Sequence, residues 1–139
     1  MSIAHFEVEF LPPKVAEYLC LRSKVGWAVA DTSAVTIALR HSLFHVVIRQ
    51  RAELIAMGRV IGDGALFFYI QDVIVAPDFQ GQGLGKMLMT HIENYLAKDA
   101  QPGATIGLFA AQGKESFYTT YGYIERDGDK FGKGMCKFL

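Results

Sequence analysis

The junction of an apolar run (65–76), a glycine-rich segment (78–86) and a stretch with helical periodicity limits the folds open to this chain. Residues 65–76 are almost continuously apolar, as a strand buried on both faces would be. From Leu84 the period changes, and Leu84, Leu88, Ile92, Tyr95 and Leu96 fall on one face of a helix with 3.6 residues per turn. Pro102 and Gly103 close that helix, and residues 105–110 form a second short apolar strand. A buried strand, a helix and a further strand make a βαβ unit inside an α/β (α+β) domain.

The remaining segments fit around that unit. Pro12 and Pro13 suit a helix start, with Val15, Tyr18, Leu19 and Arg22 at helical spacing up to Trp27. Residues 32–42 fit either a helix or a strand. Residues 44–49 are strand-like, and Gln50 and Arg51 turn them into a second strand over 54–61. Gly62, Asp63 and Gly64 then supply a strong turn signal. Residues 114–121 read as a short helix closed by Gly122, and 135–139 as a candidate last strand. No repeat or linker divides the 139 residues, so one domain over 1–139 is expected.

Composition excludes several classes of partner. Fourteen basic and fourteen acidic side chains balance, whereas a protein devoted to nucleic acid shows a basic excess. No apolar run reaches the ~18 residues of a membrane span, so no membrane partner is expected. The first ten residues include His5, Glu7 and Glu9 and lack the pattern of a signal peptide. Cys20 and Cys136 form no CxxC pair, which makes a reducing cytoplasm the default location. His41 and His45 are four apart, but a strand pattern starts at Phe44 and no third ligand is near, so no metal is expected.

The segment joining strand to helix is Asp78-Phe79-Gln80-Gly81-Gln82-Gly83-Leu84-Gly85-Lys86. Glycine lets a backbone approach a ligand closely and adopt positive φ. The first N–H groups of a helix lack partners within it, and its dipole favours an anion there. A phosphate therefore suits this loop. Counted from Gly81, a dinucleotide fingerprint would need glycine at Lys86, and a P-loop would need glycine at Gln80 and Ser or Thr at Met87. Neither motif fits. From the glycines alone, a phosphate cradle and a tight connection without a ligand both stay open.

Two motifs go further. The stretch Asp72-Val73-Ile74-Val75-Ala76-Pro77 followed by the glycine loop resembles the central motif of the GNAT acetyltransferase superfamily. In that motif a strand ends in valine and a proline turn leads to (Gln/Arg)-x-x-Gly-x-(Gly/Ala). Gln80, Gly83 and Gly85 occupy its three marked places. Downstream, Phe117-Tyr118-Thr119-Thr120-Tyr121-Gly122-Tyr123 resembles the family's Phe-Tyr-x-x-x-Gly-Phe, with Tyr123 in place of the last phenylalanine. The two motifs lie in the second half of the chain.

The resemblance implies a mixed, mostly antiparallel central sheet with flanking helices and a splayed pair of parallel strands. It implies transfer of acetyl from acetyl-CoA, as cosubstrate and without a metal, to a primary amine by direct attack in a ternary complex. Main-chain groups of Val73, Ile74 and Val75 would pair with the pantetheine arm, as an added strand pairs with a sheet edge. Gln80, Gly81, Gln82, Gly83, Leu84, Gly85 and Lys86 would hold the diphosphate, with Lys86 either adding charge or simply solvated. Val75 N–H would face the developing oxyanion. Tyr118, at the family's tyrosine position, would protonate the leaving thiolate, although from the residues alone it is equally a packing tyrosine. Asp72 interrupts the apolar strand, where a carboxylate is costly unless paired or functional. It is a candidate base, or a structural partner for Arg59 or for a backbone group. The compact chain favours a small-molecule acceptor over a protein. Dimers are common in the family, which leaves a homodimer open. A non-catalytic acyl-CoA-binding module is the alternative.

Overall fold

The computed structural model describes residues 5–28 and 30–139. The chain forms two compact units, 1–108 and 109–139.

The first unit is built on a five-stranded sheet in the order β1-β2-β3-β4-β5. Its elements are β1 (Glu7–Glu9), α1 (Val15–Lys24), α2 (Thr32–Arg40), β2 (Phe44–Gln50), β3 (Glu53–Gly62), β4 (Phe67–Val75), α3 (Leu84–Asp99) and β5 (Thr105–Leu108). β1 to β4 pair antiparallel. β5 returns parallel to β4, as a helical crossover requires. The sheet is therefore mixed and mostly antiparallel, with flanking helices. The β2–β3 turn places Arg51 and Ala52 at φ 50° and 67°, the double positive φ of a tight hairpin.

The ambiguous stretch at 32–42 is helical. Asp31 caps it by accepting from the Ala34 N–H at 3.1 Å. α1 begins three residues after Pro12, with the Lys14 N–H donating to Glu17 Oε1 at 2.8 Å. It ends where Gly26 takes φ 77° and the N–H of Trp27 reaches back to the carbonyl of Arg22 at 3.0 Å. That closure folds the Trp27 ring over the Arg22 guanidinium, 5.2 Å from centroid to Cζ.

Helices cover both faces of the sheet. Tyr18 and Leu21 of α1 and Val35 and Leu39 of α2 pack with Val47, Met57 and Ile74. On the other face α3 buries Leu84, Leu88, Met89, Ile92 and Leu96. There Tyr95 stacks on Phe44 and meets Phe68 edge-on. Gly58 lets α3 come close, since a Cβ at that position would lie 2.9 Å from Ile92 Cδ1.

The second unit carries α4 (Glu115–Thr119), followed by Gly122 at φ 91°. Residues 135–139 form no strand.

Candidate active site

β4 does two things that its apolar run does not announce. First, it outruns its parallel neighbour. Phe67 to Ile70 pair with Thr105 to Leu108, and β5 then stops while β4 continues to Val75. Within the first unit, residues 71–75 thus have no strand on the β5 side. The Ala76 N–H donates to the Ile55 carbonyl at 2.8 Å, toward β3. Main-chain polar groups alternate in direction along a strand, so those of Ile74 also turn to β3, whereas those of Val73 and Val75 face the open side. An extended ligand with amide groups can pair there.

Second, β4 is bulged. Met57 pairs with Ile74 and Arg59 with Gln71, so Asp72 and Val73 together oppose the single residue Gly58. Asp72 sits at φ 57°, a left-handed conformation in which Asp and Asn are enriched among non-glycine residues. The bulge reverses the strand's facing. Phe68 meets Tyr95 of α3, yet Ile74, which regular alternation would put on the same side, packs with Tyr18 and Leu21 of α1.

The Asp72 side chain is fully buried. Its Oδ2 accepts from Tyr18 Oη at 2.5 Å and Arg59 Nε at 2.9 Å, and its Oδ1 from Arg22 Nη1 at 2.6 Å and Gln71 Nε2 at 3.1 Å. The pairing with Arg59, one of the two expectations for this carboxylate, is present. Burial pushes its pKa up, but the hydrogen bond from Tyr18 and the bond and charge of Arg59 outweigh burial and hold it below the usual carboxylate value. Tyr18 shifts upward, first through burial and then because its hydroxyl is committed to Asp72. Arg59 Nη1 also donates to Ser42 Oγ at 3.1 Å.

The loop after β4 is shaped by its glycines. A short turn of 3-10 helix, Pro77–Phe79, leads to Gly81 at φ 80° and Gly83 at φ 83°, the latter capping α3. No atom lies within 4 Å of a Cβ built on either glycine, so open space borders both. Main-chain bonding runs through the Gln80 N–H and resumes with Met87 donating to Gly83. Within α3, no carbonyl takes the N–H groups of Leu84, Gly85 and Lys86. This is the donor set that a diphosphate needs, at the positive end of a 16-residue helix. The Gln80 side chain turns back to donate to the Val75 carbonyl at 3.0 Å. Strand end, turn and helix start therefore form one continuous polar edge.

Comparison with known proteins gives the family. The sequence profile of the acetyltransferase (GNAT) domain matches residues 26–139. This chain belongs to the GNAT acetyltransferase family. Its relatives include the uncharacterized N-acetyltransferase ycf52 of Porphyra purpurea, 37% identical over 119 residues, covering 82% of this chain and 66% of the relative. The chloroplastic GCN5-related N-acetyltransferase 1 of Arabidopsis thaliana is 34% identical over 110 residues, covering 76% and 54% of the two chains. The GNAT domain thus spans roughly half to two thirds of these curated relatives' length. A Staphylococcus aureus crystal structure described as a "Probable Acetyltransferase" superposes with a TM-score of 0.87 at 29% identity, over 96% of this chain and all of the other.

Tyr118 lies in α4 of the second unit, where its ring meets Phe117 at 5.0 Å and Tyr123 at 6.5 Å. The sequence reading missed the roles of Tyr18 and Arg22 around Asp72. They lie 54 and 50 positions away in the chain, and nothing in the local pattern marks them.

Proposed function

We propose that this GNAT domain transfers acetyl from acetyl-CoA to the primary amine of a small molecule, by direct attack while both substrates are bound. One observation carries the reading. Within the first unit, a stretch of β4 with no strand on its β5 side runs straight into a loop whose glycines border open space and which leads to the start of α3. Coenzyme A has two matching parts, an extended arm with two amides and a diphosphate.

On this reading the arm lies along Val73 and Val75, with Ile74 between them holding the strand to β3. The diphosphate lies on the main chain from Gly81 to Lys86. The Val75 N–H faces the thioester oxygen as negative charge develops on it, the role in which a fixed donor contributes most. An alkyl amine, with a pKa near ~10, must shed a proton before it attacks. Tyr118 gives its proton to the leaving thiolate, as the family motif around it implies.

Calorimetric titration with acetyl-CoA and with ATP, then an amine panel followed by free-thiol release, tests the proposal. Saturable acetyl-CoA binding without ATP competition, plus thiol release with one amine class, is the expected result. Folded protein that gives no heat with acetyl-CoA would sink the reading. Binding without turnover on any amine would leave the domain as an acyl-CoA-binding module.

A further inference from the structure

We propose that Tyr18 and Arg22 are positioning residues for acetyl transfer, clamping the Asp72 bulge so that Val73 and Val75 face the open edge of β4, and that Asp72 is the anchor of this clamp and not the base. The inference rests on the acetyl-CoA reading above and adds a role for α1 to it.

The bulge needs such a clamp. An aspartate in the left-handed region is strained and persists only where surrounding contacts fix it. If Asp72 relaxed to ordinary strand geometry, the two-against-one register at Gly58 would be lost. Every residue after it would then rotate to the other face. Ile74 would leave its contacts with Tyr18 and Leu21, and the polar groups of Val73 and Val75 would leave the gap. Both oxygens of the carboxylate that holds the bulge are doubly bonded by donors.

The donors come from separate elements. Arg59 is on β3 and Gln71 on β4 itself, whereas Tyr18 and Arg22 lie one turn apart on α1. Arg22 is gripped on both sides. Its Nη1 is on Asp72, its Cζ lies 5.7 Å from the centroid of the Tyr18 ring and 5.2 Å from that of Trp27, and its Nη2 reaches the Ala28 carbonyl at 3.4 Å. Its Nε is buried and has no partner among the described residues. The guanidinium is thus placed for the carboxylate and the aromatic stack at the expense of one of its own donors. The sequence stretch that closes α1, Arg22 to Trp27, is in this way tied to the strand that would hold the thioester.

A base must be able to take a proton from an ammonium group, yet here four donors favour the ionised carboxylate and leave no free lone-pair direction toward a substrate. Asp72 fits the anchor.

The test uses Tyr18→Phe, Arg22→Met, Arg22→Lys, Asp72→Asn and the Tyr18→Phe/Asp72→Asn double variant, each checked for folding by circular dichroism. Hydrogen–deuterium exchange of peptides covering 70–76 reads the clamp without any turnover. Exchange there should rise about tenfold in Tyr18→Phe and Arg22→Met while α3 stays protected. The acetyl-CoA Kd should rise about five- to twenty-fold, with Arg22→Lys recovering part of the loss. The double variant should be no worse than Asp72→Asn, and the pH profile of kcat/KM should keep its shape. The proposal is overturned if Tyr18→Phe and Arg22→Met match wild type in exchange and affinity. It is equally overturned if Asp72→Asn binds acetyl-CoA normally but loses turnover together with the acid limb of the profile. Should Asp72→Asn fail to fold, the two α1 variants still decide. Should wild type not bind acetyl-CoA, the cofactor reading fails, and the exchange data alone judge the clamp.

Discussion

The Gln80 side-chain amide donates to the Val75 carbonyl at 3.0 Å, tying the glycine loop to the end of β4. Both partners belong to the edge proposed for coenzyme A, so on that reading the bond pre-orders two parts of one site. Gln80→Ala should raise the acetyl-CoA Kd about two- to tenfold, the worth of one exposed hydrogen bond together with the lost ordering. Gln80 is solvent-exposed, so the melting temperature should hardly move. Parallel calorimetry and thermal melts check this, and a lowered Tm with unchanged Kd would contradict it.

Gly83 separates backbone strain from ligand contact. At φ 83° an alanine costs about 1–2 kcal/mol, and its methyl would project into open space beside the helix start. Gly103, at φ 88° and equally open, carries the same backbone cost in the turn before β5. Gly83→Ala and Gly103→Ala should therefore lower the melting temperature alike. Only Gly83→Ala should weaken acetyl-CoA, by about tenfold, because its methyl stands where the diphosphate would lie. Equal affinities for the two variants would remove the diphosphate from this loop.

Tyr118→Phe tests the proposed proton donor. Loss of a general acid typically lowers turnover about 10²-fold or more, and the missing hydroxyl leaves the phosphate and pantetheine contacts in place. The expected outcome is a fall in kcat with an unchanged acetyl-CoA Kd. Pre-steady-state thiol release measures the chemical step directly. A variant as fast as wild type would pass the role to another group.

What could be read in the sequence depended on the range of the physics. The strand, loop and helix at 65–99 were legible because periodicity and glycine placement are local, and the structure has β4 and α3 there. β1 was not, because three residues, Glu7 to Glu9, carry too little pattern. Residues 32–42 stayed open because Thr32, Val35, Thr36 and Ile37 are β-branched and favour strands, while the deciding cap from Asp31 is one hydrogen bond. The apolar run of β4 suggested burial on both faces, yet along β4 buried residues alternate with half-buried ones and the facing reverses at Asp72. Arg59 could be paired with Asp72 in advance, since both sit on one hairpin. Tyr18 and Arg22 could not, because only tertiary packing brings α1 against the bulge. A last strand at 135–139 was expected from apolar residues and is absent, and we have no physical account of that.

Two buried groups set separate pH windows for stability. His45 donates through Nε2 to the Leu39 carbonyl, 2.9 Å away, and burial lowers its pKa. The unfolded chain binds this proton first, so stability falls as pH drops below the ordinary histidine value near ~6.5. Asp72 is also lowered, so its contribution is complete above the ordinary carboxylate value near ~3.9 and is lost as pH falls below that. Denaturant titrations from pH 8 to 3 should show both losses. His45→Gln should flatten the upper one and Asp72→Asn the lower. A wild-type profile flat between pH 7 and 5 would show that His45 is not held neutral.

Gly58 gives the converse of Gly83. Its φ lies outside the positive region, but a Cβ there would stand 2.9 Å from Ile92 Cδ1, 3.6 Å from Val73 Cγ2 and 3.7 Å from Val46 Cγ1. Ile92 is fully buried, so its methyl can yield only by disturbing the packing of α3 on the sheet. Gly58→Ala should destabilise the fold by about 1–3 kcal/mol, the usual range for overpacking. The double variant Gly58→Ala/Ile92→Val removes the methyl in the way and should recover part of that loss, because the two sites touch and their effects are not additive. Urea unfolding of the two single variants and the double measures the coupling. Strict additivity would mean that the crowding is relieved elsewhere, through Val73 at the bulge.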